Sequence, residues 1–178
     1  MLLSSLPIVT LLALATSVTA APTTSGTVFT ISQWIEDIIA DPTAPHLTPE
    51  EAVAAKNAAV ANSNPLSIRT PRCMDEFDSW GRANANDAAA CLRYLADKGA
   101  QGINCGIGQN QFDIQMCRIG NAQVHSSKST SSAQGANCND VARTGGKIFD
   151  TCWRSDGTIK GAELCITNNQ FQVGILAP

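Results

Sequence analysis

The seven cysteines, Cys73, Cys91, Cys105, Cys117, Cys138, Cys152 and Cys165, are the residues whose chemistry the sequence displays most openly. Metal ligation and disulfide formation compete for them. The gaps between successive cysteines are 17, 13, 11, 20, 13 and 12 residues, with no Cys-x-x-Cys pair and no Cys/His cluster. Zinc sites use short-spaced pairs, because one turn must deliver two ligands to one ion. Disulfides carry no such requirement, so disulfides are expected, with no metal and no cofactor. The odd count leaves one thiol over, either free or paired with another chain.

Other reactive side chains are sparse. His125, Glu163 and Arg154 are the groups a small ribonuclease would use for acid/base work and phosphate contact, but no spacing joins them. Ser126, Ser127, Ser129, Ser131 and Ser132 offer hydroxyls without a Gly-x-Ser-x-Gly elbow, and read as loop. Asp75, Glu76 and Asp78 cluster near Trp80, where a glycosidase dyad would be sought; acidic turns are far commoner. Trp80, Tyr94 and Trp153, with His125, form the candidate binding surface, and packing is the competing role for the aromatics. No catalytic residues are assigned. The chain is expected to be non-enzymatic, the alternatives being a small secreted hydrolase or a cell-wall carbohydrate-binding protein.

The elements that position these groups follow from periodicity. "NANDAAACLRYLADKG" places Ala88, Cys91, Leu92 and Leu95 on one helical face, capped by Asn86 or Asp87. "INCGIG" and "FDIQMC" alternate around "GQNQ", which predicts a hairpin pairing Ile103, Cys105 and Ile107 with Met116, Ile114 and Phe112. Its second strand is expected to continue through "RIGNAQVHSS" with a bulge at Gly120. "SSKSTSSAQG" reads as a polar loop. A second helix over "CNDVARTGGKIFDTC" carries Cys138, Val141, Gly145, Ile148 and Cys152 on one stripe. Gly145-Gly146 there calls for a close helix–sheet contact or a kink. A last hairpin turning at Asn168-Asn169 pairs Ile166 with Phe171, Leu164 with Val173 and Ala162 with Ile175. The expected fold is α+β: two helices on one face of a four-stranded, mainly antiparallel sheet, in the order αββαββ and stabilised by disulfides.

This layout prunes the cysteine pairing. Cys138 and Cys152 stand about 21 Å apart on an intact helix, and a bridge spans Cα atoms only ~4.4–6.8 Å apart. They cannot bond each other. Cys105 faces the helices, which makes Cys91 or a second-helix cysteine its natural partner. Cys117 and Cys165 are expected on the open face of the sheet, Cys117 only if no bulge precedes Arg118. If their strands are neighbours, Cys117 and Cys165 can bridge each other; if not, Cys165 is the candidate free thiol, and Cys73, Cys91, Cys105, Cys117, Cys138 and Cys152 are the disulfide candidates.

Residues 1–20 read as a signal peptide, with an apolar core around Ile8–Leu14 and small residues before Ala21. The core is shorter than the ~20 residues a membrane span needs, so a secreted, extracellular protein is expected. Residues 21–72 lack cysteine and hold two short helical patterns. "SQWIEDIIA" gathers Trp34, Ile35, Ile38 and Ile39, and "TPEEAVAAKNAAVAN" opens with a Thr48–Glu51 capping box. This segment is expected to be a pro-region or helical spacer, a helix pair docked on the domain, or a partner-binding motif. Residues 73–178 form the cysteine-rich domain, in which nine Lys/Arg balance ten Asp/Glu. That near-neutrality excludes the basic stripe of a nucleic-acid binder.

The string "NDAAACLRYLADKG…NCGIG…MCRIGNAQV…NCNDVARTGGKIFDTC…IKGAELCITNNQFQVGI" resembles small secreted cysteine-rich proteins of filamentous fungi. "QWIEDIIADP…LTPEEAV" is similar to the leader segment that such proteins carry. More distantly, the layout resembles necrosis-inducing-factor effectors and fungal killer toxins. The resemblance implies an exported effector or toxin-like protein acting by binding on an extracellular host or microbial target. It carries over no catalytic residues.

Overall fold

A computed structural model describes residues 28–61, 71–76 and 79–178; the signal-peptide expectation lies outside the described residues. Among them the chain forms four helices: α1 (Ile31–Ala40), α2 (Pro49–Ala61), α3 (Ala85–Ala100) and α4 (Cys138–Cys152). The strands are β1 (Ala83–Asn84), β2 (Asn104–Ile107), β3 (Asp113–Ile119), β4 (Ala122–Ser127), β5 (Gln134–Asn137), β6 (Thr158–Ile159), β7 (Gly161–Cys165) and β8 (Asn168–Leu176). The main sheet is antiparallel with strand order β3-β4-β8-β7, and two-stranded sheets pair β1 with β6 and β2 with β5.

The α+β class, the antiparallel pairing and the disulfides match expectation, while the two-helix, four-strand layout needs correction. Gly120 is no bulge. It adopts φ +48° and, with Asn121, closes a two-residue turn from β3 into β4, a position glycine fills without steric cost. The Asp87 carboxylate accepts the Asn121 backbone N–H at 2.8 Å and fixes this turn to α3. β3 therefore spends its hydrogen bonds on β4. The expected β2–β3 hairpin gives way to a β2–β5 pair that takes its second strand from the end of the serine-rich segment. Ile103 and Phe112, expected on the buried face, are 40% and 52% exposed.

The last hairpin turns at Ile166-Thr167, two residues before the expected Asn168-Asn169, and its register pairs Ala162 with Gly174. A shift of one residue exchanges the faces of a strand. Phe171, Val173 and Ile175 are buried, but Leu164 and Ile166 are exposed, and an irregularity between Leu164 and Cys165 turns Cys165 inward. A second irregularity, between Gln115 and Cys117, likewise turns Cys117 toward the helices.

Helices α3 and α4 pack on one face of the main sheet, against Val124, Phe171, Val173 and Ile175. They lie unusually close to each other. A Cβ at Gly145 would overlap Leu92, and one at Gly99 would overlap the Asn139 backbone. A Cβ at Gly146 would come within 3.1 Å of the Ser32 Cα on α1. The diglycine thus serves two helix–helix contacts, neither a helix–sheet contact nor a kink. Asn84, two residues earlier than expected, caps α3 by accepting the Asn86 and Asp87 N–H groups.

The N-terminal segment forms a helix pair docked on the domain. α1 lies across α3 and α4 with Ile31, Trp34, Ile35 and Ile38 buried, and α2 packs against α3. The Trp34 indole N–H donates to the Leu47 carbonyl, and Thr48 and Glu51 form the capping box that opens α2. Asp150 of α4 joins three elements. Its carboxylate accepts the Ile31 and Ser32 backbone N–H groups at 2.8 and 2.9 Å, satisfying donors at the start of α1. It also pairs with Lys56 of α2 at 3.0 Å, where the lysine side chain is only 8% exposed. Removing one member of a buried pair strands its partner's charge. Asp150→Ala is therefore expected to cost about 3 kcal/mol in urea unfolding, with faster amide hydrogen exchange in α1 than elsewhere.

Candidate binding groove

Alternation along the strands divides the main sheet into a core face and an open face. Val124 and Ser126 of β4 point to the helices, so Gln123, His125 and Ser127 point away. On β8 the core positions Phe171, Val173 and Ile175 leave Gln172, Gly174 and Leu176 on the open side. His125 pairs with Gly174, which pairs with Ala162 of β7, and the three lie side by side across the sheet. With no side chain on Gly174, the middle of this row is a depression.

The segment from Pro71 to Arg82 walls the depression at the β7 edge. Arg72 and Ala162 exchange both backbone hydrogen bonds, at 2.9 and 2.8 Å, and Cys73 is bonded to Cys152. Met74 has a left-handed backbone (φ 56°) and is buried against the groove. Such a conformation is uncommon for a residue bearing a side chain. The Trp80 carbonyl accepts from the nearly buried Lys160 ammonium at 2.9 Å, and the Gly81 carbonyl accepts the Ala177 N–H. Arg82 anchors the segment further, donating to Thr158 and the Cys152 carbonyl and pairing with Asp75. The result is an open groove of about 340 Å³ between Trp80 and the β4–β8 surface, within the usual range for small-ligand sites.

Its polar groups are oriented. Gln123 donates to the Ala177 carbonyl at 3.1 Å, and Ser127 donates to the Gln172 side-chain oxygen at 3.2 Å. The His125 imidazole is half-buried and makes no side-chain hydrogen bond among the described residues. Burial pushes its imidazole below the ordinary histidine value, against a smaller opposing pull from Asp113. Among the described residues that line the groove, His125 has the one ionisable side chain.

The groove unites two residues of the candidate surface, Trp80 and His125, and leaves out the others. Tyr94 projects from α3 with the Lys98 ammonium 5.4 Å from its ring centre. Trp153 follows α4, half-buried, and bridges Ile159. The acidic candidates are engaged elsewhere. Asp75 pairs with Arg82 and Arg154, Glu76 pairs with Arg72, and Asp78 lies outside the described residues. Glu163 follows the groove residue Ala162 and so faces the other side of β7 from His125; its carboxylate accepts the Leu164 N–H. Ser126 is fully buried on the core face. No group of three or more His, Cys, Asp or Glu residues among the described residues could hold a metal ion. Met74, Gln123, Gln172 and Gly174 were not singled out from sequence. For Gln123, Gln172 and Gly174 the signal was the alternation in "QVHSS" and "QFQVGIL", readable only once β4 and β8 are known to be neighbours; no local pattern marks Met74.

The disulfides are Cys73–Cys152, Cys91–Cys117 and Cys105–Cys138, with Cα separations of 5.1, 5.7 and 5.0 Å. Cys165 carries the remaining thiol, 3% exposed, on the core face and not on the open face expected for it. A disulfide to another chain, the alternative to a free thiol, requires an accessible thiol, and this one is enclosed. No helix among the described residues is long and apolar enough to cross a membrane.

Fold and site together define a small, disulfide-stapled α+β domain with a groove on the open face of its sheet. Disulfides of this number are typical of extracellular proteins. The chain belongs to the family described as a domain of unknown function, DUF8794, which matches residues 68–177. The match takes in α3, α4, every strand and all seven cysteines, and begins after α2. Comparison with curated proteins and with solved structures gives no match.

Two measurements check this site. Alkylation without reduction is expected to add one label per chain in denaturant, at Cys165, and little in native buffer. The lowered His125 value sets the sign of a pH effect. The unfolded chain takes up this proton first, near the ordinary pH of about 6.5. Stability present above that pH is therefore lost as pH falls through the lowered folded value. Urea midpoints between pH 7.5 and pH 5 are expected to fall less for His125→Gln than for the wild-type chain.

Proposed function

We propose that this chain is a secreted effector or toxin-like protein that works outside the cell by binding, with the groove beside Trp80 as its contact site. One observation carries the reading. The groove gathers an exposed aromatic, a half-buried histidine and two oriented amides, while Asp75 and Glu76 are held in arginine pairs and Glu163 faces the other side of β7. Hydrolysis by a paired acid and base uses two groups within hydrogen-bond reach of the reacting atoms, and Asp75, Glu76 and Glu163 are engaged elsewhere. Three disulfides across a small domain support service in an oxidising compartment. The family match covers the domain that carries the groove and is compatible with this role.

The test uses the full chain with its disulfides intact. Added to intact microbial cells and to plant tissue, the labelled protein is expected to bind saturably, and to release no product from RNA or wall glycans. Hydrolysis that disappears in His125→Ala would overturn the binding reading in favour of a small secreted hydrolase.

A further inference from the structure

We propose that two copies of this chain pair edge to edge through β3, antiparallel, so that the main sheet of one copy continues into that of the other. The surface is separate from the groove and rests on no reading of it.

β3 ends the main sheet on one side, and no strand among the described residues pairs with its outer edge. At the opposite end Arg72 bridges Ala162 of β7. Backbone alternation identifies the residues of β3 that face outward. The Phe112 carbonyl accepts the Lys128 N–H at 2.9 Å. Two residues on, Ile114 therefore also spends its backbone groups on β4, and Asp113 and Gln115 present theirs to the free edge. The two-residue turn at Gly120-Asn121 makes Ile119 a hydrogen-bonded position, so Arg118 faces outward as well. The extra residue between Gln115 and Cys117 puts these three positions on one face of the sheet, opposite Ser127, His125 and Gln123. All three residues are exposed, and neither Asp113 nor Arg118 joins an ion pair among the described residues.

Their order makes the edge complementary to itself. A two-fold axis normal to the sheet, passing beside Gln115, sets Gln115 opposite Gln115 of the second copy. Asp113 then faces Arg118 of the second copy, and Arg118 faces its Asp113. Each glutamine amide offers both donors and an acceptor, so the central pair satisfies itself. The irregularity in each copy falls opposite Ile114 of the other. Charges on an edge strand ordinarily keep other chains away. Here a second copy meets each charge with its opposite, which favours this partner over an unrelated strand.

The helix side of the same edge is apolar. Tyr94, Ile103 and Ile119 are 45%, 40% and 37% exposed. Hollows of about 290 and 330 Å³ open beside Tyr94, and Met116 lines both. Apolar surface beside unpaired backbone calls for a cover. The strand is also fixed before contact, because Cys117 is bonded to Cys91 of α3 and Asp87 holds the turn after Ile119. Pairing therefore orders little that was free.

Sedimentation equilibrium of the full chain, with disulfides intact, is expected to show a reversible dimer forming in the micromolar to millimolar range. Asp113→Arg and Arg118→Asp should each raise its dissociation constant by roughly tenfold or more, because like charges then meet. One variant presents only arginine at these positions and the other only aspartate. An equimolar mixture of the two should regain the dimer, as should both exchanges made in one chain. Gln115→Pro removes a backbone donor at the centre of the edge without taking a hydrogen bond from the sheet, and should abolish pairing. Circular dichroism checks that each variant is folded; where Gln115→Pro is not, the charge exchanges and their mixture carry the test. A wild-type chain that stays monomeric throughout, a dimer indifferent to both exchanges, or a mixture that remains monomeric overturns the proposal. A dimer that survives denaturant without reductant is a disulfide between copies and overturns it too.

Discussion

Helix α4 is fastened at both ends by covalent bonds, and the rest of the molecule is arranged around it. Cys138 at its first position is bonded to Cys105 of β2, and Cys152 at its last is bonded to Cys73. A helix of this length holds its two ends about 21 Å apart, so the two bridges are fixed in space relative to each other. Between them the stripe of Val141, Ile148 and Phe149 is wholly buried, while Gly145 admits α3 and Gly146 admits α1. Bridges closing 79 and 33 residues remove many conformations from the unfolded chain, on the order of 3–5 kcal/mol each in a chain-entropy account. A domain this small, with a modest core, depends on such help.

The same fastening creates the groove. Cys73 lies nine residues from Arg82, and Cys152 holds it beside β7. From there the chain bridges Ala162, buries Met74 and delivers Trp80 to the edge of the open sheet face. Core and groove are therefore two sides of one sheet. The residues that bury against the helices decide, through the period of two, which residues face the ligand side. Phe171, Val173 and Ile175 select Gln172, Gly174 and Leu176 as surely as they select the core.

Local patterns in the sequence revealed much of this and long-range pairing very little. Both domain helices, the Thr48–Glu51 capping box and the impossibility of a Cys138–Cys152 bond are consequences of spacing along one element. The identity of the strand beside β4 is not, because hydrogen-bonded neighbours in this sheet come from residues some fifty positions apart. The β2–β3 hairpin looked convincing because alternation alone does not say which partner a strand takes. A single left-handed glycine, Gly120, settled the matter in favour of β4. Cys165 shows how a one-residue register shift changes a side chain's surroundings: an expected outward thiol became a buried one, while Leu164 and Ile166 took the exposed places. Trp80 and His125 were legible as surface candidates, yet their meeting depended on pairings that no local pattern encodes.

The boundary of the family match sharpens the standing of the first two helices. The matched region begins at residue 68, so α1 and α2 lie outside it, yet the matched region is shaped to receive them. Gly146 has the clearance that α1 requires, and Asp150 aims both carboxylate oxygens at the first backbone donors of α1. Lys56 brings its ammonium from α2 into the same nearly buried cluster, and Arg143 reaches from α4 to Glu36 of α1. Taking residues 28–61 away would uncover the surface that Ile31, Trp34, Ile35 and Ile38 now close, and would leave Asp150 with neither its backbone donors nor its lysine. A contiguous apolar surface of that kind demands a cover. In this chain the cover is its own N-terminal helix pair. It lies on the helical side of the molecule, opposite the sheet face that carries the groove, so the site and its support occupy different surfaces.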